Sequence, residues 1–92
     1  MQFAWSEVKN AVLKRERGVC FEDVAIAVEG GHLLNDTPHP DRAKYPHQRM
    51  LAVEIDGYVC IVPYVRDGDI CFLKTVYPSR KAQRIDLGEV CK

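Results

Sequence analysis

The sequence lacks a long hydrophobic run, an excess of charge of either sign, and a recognisable export signal. Its longest uncharged apolar stretch, residues 58–65, falls far short of the ~20 residues that a membrane-spanning helix needs. The N-terminal residues MQFAWSEVK contain neither an apolar core segment nor a small-residue cleavage site, and a signal peptide has both. We therefore expect a protein that does not associate with membranes and that resides in the cytoplasm.

Patterns typical of metal, cofactor or phosphate-loop sites are also absent. The four cysteines, Cys20, Cys60, Cys71 and Cys91, form no CxxC pair, so neither a zinc ribbon nor a thiol redox motif is expected. There is no glycine-rich phosphate loop and no Ser/His/Asp pattern of a nucleophilic enzyme. The sequence thus predicts no metal and no cofactor. Cys60 and Cys71 lie in apolar runs and are interpreted as reduced core residues.

The composition is that of one globular domain spanning residues 1–92. Hydrophobic residues make up 47% of the chain and charged residues 28%, which excludes intrinsic disorder. Thirteen basic residues balance thirteen acidic ones, so no overall attraction to nucleic acid is expected. The charges are nevertheless segregated, because residues 22–36 contain no Lys or Arg and residues 70–84 contain no acid. This favours a local anion site or, alternatively, only two solvated faces.

Two amphipathic helices are predicted near the N-terminus. Ser6 is a suitable N-cap for a helix over 6–17, and Gly18 ends that helix after a basic last turn. The spacing of apolar residues predicts a second short helix over 21–28. Residues 32–48 contain three prolines and all three histidines, and they are predicted to be mostly loop. A loop this long in so small a domain is often functional.

The second half of the chain predicts an antiparallel β-meander. Asp56-Gly57 and Asp67-Gly68 are two-residue hairpin signals. They separate three apolar strands, and a short edge strand at Leu33-Leu34 would add a fourth. The three strands are expected at 49–55, 58–65 and 70–77.

Pairing across these two turns predicts the sheet register. Leu51 and Leu73 are both expected opposite Val62, on one apolar face that receives the helices. Pro63 cannot donate a hydrogen bond to the ladder, so it predicts a bulge or an unpaired edge. Ser79 is expected to cap a final helix over 80–87. The predicted fold class is α+β, with two N-terminal helices, an antiparallel meander of three to four strands, and a short C-terminal helix.

The order and spacing of several motifs resemble one protein family. Phe3, Trp5 and Lys9 stand in the spacing F-x-W-x-x-x-K, and Gly-Val-x-Phe-Glu follows at residues 18–22. The segment YPSRKA, residues 77–82, resembles the Ser-Ala-Arg-Lys-Ala segment that closes the sheet of the BrnT-type toxins. Taken in order, these motifs make the chain similar to a divergent branch of that family. BrnT-type toxins are the ribonuclease members of type II toxin–antitoxin pairs and are related in fold to RelE.

The resemblance implies a RelE-like fold and metal-independent cleavage of RNA that inhibits translation. The implied partner is a cognate antitoxin, a ribbon-helix-helix or similar small protein, which would present acidic side chains and an apolar helix or strand. A non-catalytic protein-binding module of the same fold remains the alternative. A DNA-binding protein is disfavoured because no helix carries a dense basic stripe.

Two groups of residues are candidates for the chemistry of RNA cleavage. Such a reaction needs a base for the 2′-hydroxyl, cations for the charge that develops on phosphorus, and an acid for the leaving oxygen. The basic residues Lys74, Arg80 and Lys81 are expected to bind phosphate where the last strand meets the final helix, unless they are only solvated charges at a helix start. His39 and His47 are acid–base candidates, and Arg49 is expected to contact the same phosphate.

Further residues are candidates for binding RNA outside the reacting bond. This group contains loop residues close to the two histidines, and tyrosines that can stack on bases. It also contains Lys9, which matches the family motif. The alternative for Lys9 is a solvated helix face. The predicted RNA-binding residues are Lys9, Arg42, Lys44, Tyr45, Tyr77 and Arg84.

Overall fold

The chain begins with a short strand that two helices follow. In a computed structural model that describes residues 2–79, β1 is Gln2–Ala4, α1 is Glu7–Arg17 and α2 is Phe21–Glu29. Ser6 caps α1 as expected, because its hydroxyl accepts the backbone N–H of Lys9 at 3.3 Å. Gly18 ends α1 at φ 70°, a left-handed conformation that costs glycine little.

Most of the remaining chain forms strands. The sheet order is β1-β5-β4-β3-β2, and β6 also pairs with β4. All these pairs are antiparallel except β1 with β5, which is parallel. The strands after α2 are β2 (Leu33–Pro38), β3 (Gln48–Ile55), β4 (Tyr58–Asp67), β5 (Ile70–Leu73) and β6 (Tyr77–Pro78).

The predicted antiparallel meander of three to four strands is therefore wrong. Residues 2–79 form a six-stranded mixed sheet, because residues 2–4 pair in parallel with β5 and residues 33–38 pair along β3. β1 has three residues and no local signal. The expected edge strand at Leu33-Leu34 is the start of β2, but the rest of β2 contains Asn, Asp and Pro, which are depleted in strands. The expected C-terminal helix over 80–87 lies outside the described residues.

The first hairpin follows the predicted register, and the second differs from it. Ile55 pairs with Tyr58 across Asp56-Gly57, and the two turn residues have φ values of 54° and 83°, as a tight hairpin turn requires. In the second hairpin Asp67 pairs with Ile70, so Leu73 lies opposite Tyr64 instead of Val62. Because the register moves by two residues, the side chain of Leu73 stays on the expected face.

Pro63 lies inside β4 without interrupting its pairing with β3, where Met50 is its partner. Its carbonyl accepts the Lys74 N–H at 2.8 Å, so its nitrogen, which has no hydrogen, faces the same side. On that side of β4, the pairing with β5 ends at Leu73 and the pairing with β6 begins at Tyr77. The segment that joins β5 to β6 is one residue longer than continuous pairing along β4 would need. The bulge that Pro63 predicted thus lies in the facing strand.

Both helices pack on one face of the sheet, which we call the helix face. Leu13, Phe21 and Val24 from the helices contact a single cluster of buried strand residues. The strand residues of the cluster are Leu51, Val53, Cys60, Val62, Tyr64, Cys71 and Leu73, with Val76 beyond β5.

The described cysteines, Cys20, Cys60 and Cys71, are buried and free, and burial raises the pKa of each thiol. No helix among residues 2–79 is long and apolar enough to span a membrane.

Candidate functional site

A hydrogen-bonded group of three polar residues crosses the three strands β2, β3 and β4 on the helix face. Asp36 comes from β2, Arg49 from β3 and Tyr64 from β4. The Arg49 side chain donates through Nε to a carboxylate oxygen of Asp36 at 3.0 Å and through Nη2 to the Asp36 carbonyl at 3.1 Å. The Tyr64 hydroxyl lies 2.8 and 2.9 Å from the two Asp36 carboxylate oxygens and donates to them. Asp36 therefore binds both neighbours at once.

Burial differs across this group and decides what each residue can do. Tyr64 is fully buried, whereas the side chains of Arg49 and Asp36 remain 38% and 27% exposed. Burial, with the nearby Asp36 carboxylate, raises the pKa of Tyr64 to about 12. The hydrogen bond to Asp36 raises the pKa of Arg49. Tyr64 is thus a fixed neutral donor, and Arg49 is an oriented cation that still reaches solvent.

The loop between β2 and β3, residues 39–47, carries a second group. The rings of His39 and Tyr45 are in contact, with centroids 4.5 Å apart. The Lys44 ammonium lies 5.3 Å from the centre of the Tyr45 ring, within the range of a cation–π interaction. An aromatic pair and a cation are therefore held together at the tip of this hairpin.

Asp41 organises this loop through three hydrogen bonds, one of which its carbonyl accepts from the Tyr45 N–H at 2.9 Å. Its carboxylate accepts the backbone N–H of Lys44 at 3.1 Å, and its own N–H donates to Nδ1 of His39 at 3.0 Å. Because Nδ1 accepts, the ring proton of neutral His39 is on Nε2. His39 can therefore donate a hydrogen bond from Nε2 to a phosphate oxygen.

Arg49 lies at the base of the same hairpin. Pro38 pairs with Arg49 in the ladder, and the His39 N–H donates to the carbonyl of Gln48 at 3.1 Å. The two strands therefore join the loop to the polar group on the helix face. The structure places six of the predicted site residues in this hairpin: His39, Arg42, Lys44, Tyr45, His47 and Arg49.

Of the remaining predicted residues, the three that the structure describes, Lys9, Lys74 and Tyr77, lie outside this hairpin. Lys74 is exposed, and its ammonium lies 5.5 Å from the centre of the Phe72 ring. Phe72 pairs with Val65 on the face opposite the helices, whereas Arg49 pairs with Tyr64 on the helix face. Lys74 and Arg49 therefore leave the sheet on opposite sides and do not converge on one phosphate.

Two of the other candidates, Tyr77 and Lys9, lie in the described part of the chain. Tyr77 pairs with Ile61 and shares its sheet face with Lys74. Lys9 is an exposed residue of the first turn of α1. The predicted residues Arg80, Lys81 and Arg84 lie outside the part of the chain that the structure describes.

Sequence reasoning missed two members of the polar group, Asp36 and Tyr64. Asp36 only ends the stretch over residues 22–36 that contains no Lys or Arg, and Tyr64 lies in the strand expected at 58–65. The sequence shows an acidic residue two positions before Pro38. That residue can be assigned to the polar group only once β2 is known to pair with β3. Strand pairing of this kind is decided by tertiary contacts.

Comparison of the chain with models of protein families, with curated proteins and with solved structures finds no match. Among residues 2–79 no three His, Cys, Asp or Glu side chains are grouped so that they could hold a metal ion. The side chains of the hairpin supply a guanidinium, an ammonium, an imidazole donor and an aromatic ring.

Proposed function

We propose that the protein is the cytoplasmic ribonuclease toxin of a type II toxin–antitoxin pair, and that it cleaves RNA without a metal ion. The observation that carries this proposal is the gathering of His39, Lys44 and Tyr45 in one hairpin whose base holds Arg49. An aromatic ring that can stack on a base, next to cations that can bind phosphate, is the combination that single-stranded RNA needs.

Arg49 is the phosphate-binding residue in this proposal. Asp36 holds its Nε and Nη2, and the side chain remains 38% exposed, so the guanidinium can still reach a phosphate oxygen. An oriented guanidinium stabilises the charge that develops in the transition state without reorganising. His39 donates from Nε2, and His47, which is exposed at the end of the loop, is the acid–base candidate nearest to β3 in the chain.

The basic segment at residues 74–84 supplies a second set of cations. Lys74 and Tyr77 lie on the sheet face opposite Arg49, so we assign them to binding RNA along that face. Arg80 and Lys81 follow in sequence and match the family segment in the resemblance. Cleavage and binding are thereby assigned to different parts of the molecule.

The test is cleavage of single-stranded RNA by the purified protein in EDTA, together with growth on induced expression. We expect Arg49→Lys to lower the cleavage rate roughly a hundred- to a thousandfold, since one transition-state contact contributes about 2.7–4 kcal/mol. Lys keeps the charge but loses the paired hydrogen bonds to Asp36 that orient the guanidinium. Lys14→Ala removes an exposed charge of α1 and should keep full activity.

Two further variants separate the hairpin from the basic segment. If Arg80→Ala and Lys81→Ala abolish cleavage while Arg49→Lys does not, the reacting phosphate lies at the segment and the hairpin assignment is wrong. If the wild type neither cleaves RNA nor arrests growth, the protein is the non-catalytic binding module. The exposed Ile26 and Tyr58, at 67% and 65%, favour that alternative.

The proposed partner is a ribbon-helix-helix or similar antitoxin encoded next to this chain. Co-expression with the product of the adjacent small reading frame should restore growth and yield a stable complex. A wild-type protein that is tolerated alone and forms no complex with that product would contradict the pairing.

A further inference from the structure

A cleft lies between α2 and the turn that joins β3 to β4. Its volume is about 450 Å³, within the range of sites that take a few side chains or a small ligand. Ala27 of α2 and Ile55 of β3 contribute apolar surface to it. A second depression of about 330 Å³ shares Asp23, Ile55 and Asp56 with the first. The two depressions therefore lie next to each other, and together we call them the groove.

Two large hydrophobic side chains stand exposed along this groove. Ile26 lines the first depression and is 67% exposed, and Tyr58 lines the second and is 65% exposed. Single exposed hydrophobics are ordinary on a protein surface. Here two of them lie along one groove with an apolar floor, and that arrangement is typical of the anchor sites of a protein interface.

The charged side chains of the first depression are acidic, apart from one histidine. Asp23, Glu54 and Asp56 line the first depression, and none of its lining residues is Lys or Arg. His32 lies 3.7 Å from Glu54. The second depression adds one cation, Arg17, whose guanidinium is held by the carbonyl of Val76 at 2.8 Å.

The sign of the charge selects the class of occupant. Carboxylates beside an apolar floor attract a cation and repel a phosphate backbone or an anionic membrane surface. We propose that this groove docks a short amphipathic segment of a partner protein that carries Lys or Arg beside aliphatic side chains. The groove occupies a different part of the molecule from the β2–β3 hairpin, so the inference does not depend on RNA cleavage.

The inference also changes the expected partner. Sequence reasoning anticipated a partner that presents acidic side chains to basic residues. At the groove the complementary partner is basic, so an antitoxin that binds here would present Lys or Arg. The same antitoxin would then carry different charges on the surfaces that meet the groove and the residue 74–84 segment.

The probes are two synthetic amphipathic helical peptides, one built from Leu and Lys and the other with Glu in place of each Lys. Isotope-labelled full-length protein is titrated with each peptide and followed by NMR. We expect the Lys peptide to shift the backbone amides of Ile26, Asp56 and Tyr58, and to bind more weakly as salt is added. The Glu peptide should not bind there.

Three variants test the contributions of apolar surface and charge. Ile26→Ser should weaken binding of the Lys peptide about tenfold, as loss of an interface anchor does. The double variant Glu54→Gln with Asp56→Asn should also weaken it, and Asn tolerates the positive φ at position 56. Val8→Ser is the matched control, because Val8 is 78% exposed on α1 and does not line the groove.

Several outcomes would overturn the inference. Equal binding of the two peptides would show that the carboxylates do not select the occupant. Unchanged binding of the Lys peptide by Ile26→Ser would show that Ile26 is not an anchor. Amide shifts confined to another surface would place the site elsewhere. Self-association of the protein that Ile26→Ser abolishes would assign the groove to a second copy of this chain. RNA cleavage is measured separately, so failure here is distinguishable from failure of the ribonuclease proposal.

Discussion

The hydroxyl of Tyr64 and the carboxylate of Asp36 are hydrogen-bonded across an intervening strand. Tyr64 lies in β4 and Asp36 in β2, and oxygen–oxygen distances of 2.8 and 2.9 Å join them past β3. Asp36 thus extends from an edge strand onto the helix face. An inward-pointing charge on an edge strand opposes edge-to-edge aggregation, and here Tyr64 and Arg49 satisfy it.

Removing the Tyr64 hydroxyl should weaken the attachment of β2. Tyr64→Phe keeps the ring but deletes a hydrogen bond to a charged group, so we expect the free energy of unfolding to fall by about 1.5–3 kcal/mol. Urea denaturation measures this, and hydrogen exchange of the β2 amides should accelerate most. Tyr58→Phe, at an exposed position, is the control and should change neither. Unchanged stability of Tyr64→Phe would show that Arg49 alone satisfies Asp36.

The free energy of unfolding should fall in strongly alkaline solution because Tyr64 ionises there. The pKa of Tyr64 is raised to about 12, against about 10 in an unfolded chain. The folded state therefore retains its proton longer, and the stabilisation is fully present below pH ~10 and lost between pH ~10 and ~12. In that window the free energy of unfolding falls by up to about 1.4 kcal/mol per pH unit.

The measurement is a series of urea titrations across that pH range. Tyr64→Phe should show a shallower decline than the wild type, because it has no phenol to ionise at this position. Parallel declines in the two proteins would exclude Tyr64 as the source. Absorbance near 295 nm reports the ionisation directly, by difference between the two proteins.

Asn10 connects the two helices, and its loss should destabilise their packing. It is 2% exposed, its amide donates to Glu22 at 2.7 Å, and its carbonyl oxygen accepts the Phe21 N–H at 2.8 Å. Asn10→Ala leaves that N–H unsatisfied, which costs about 1–3 kcal/mol. Thermal or urea unfolding measures the loss. Glu16→Ala, exposed on the same helix, is the control and should stay within ~0.5 kcal/mol.

The same Asn10 variant has a signature in the titration of Glu22. The hydrogen bond from Asn10 holds the pKa of Glu22 below its ordinary value, helped by Cys20 and Lys14. The pKa of Glu22 should therefore rise in Asn10→Ala, as NMR of the side-chain carboxyl would show. An unchanged Glu22 pKa would mean that this contact does not persist in solution.

Trp5 contributes to stability more through its aromatic ring than through its indole N–H. It stacks on Phe21 with centroids 5.7 Å apart, and its Nε1 is buried without a hydrogen-bond partner among the described residues. Trp5→Phe removes an unsatisfied donor and keeps an aromatic ring, so stability should change by less than about 1 kcal/mol. Trp5→Ala should cost about 2–3 kcal/mol, less than the ~3–5 of a fully buried aromatic. Equal losses in both variants would indicate that Nε1 has a partner in solution.

Short-range features of this protein follow from the sequence alone. The Ser6 cap, the Gly18 stop and the Asp56-Gly57 turn each depend on a few adjacent residues. Alternation along β3 and β4 likewise identifies the face that the helices cover. The predicted site residues from His39 to Arg49 lie together in the structure because they are consecutive in one loop and its base. Their proximity needed no tertiary information.

Long-range pairings were decided only by the tertiary structure. The parallel contact of β1 with β5 joins the start of the chain to residues 70–72, and no local pattern announces a partner so distant in sequence. Asp36, Arg49 and Tyr64 lie together only because β2 pairs with β3 and β3 with β4. The second turn likewise sets the register of β5 two residues away from the predicted one. Local free energies determine caps and turns, whereas strand partners are selected by the burial that the whole sheet achieves.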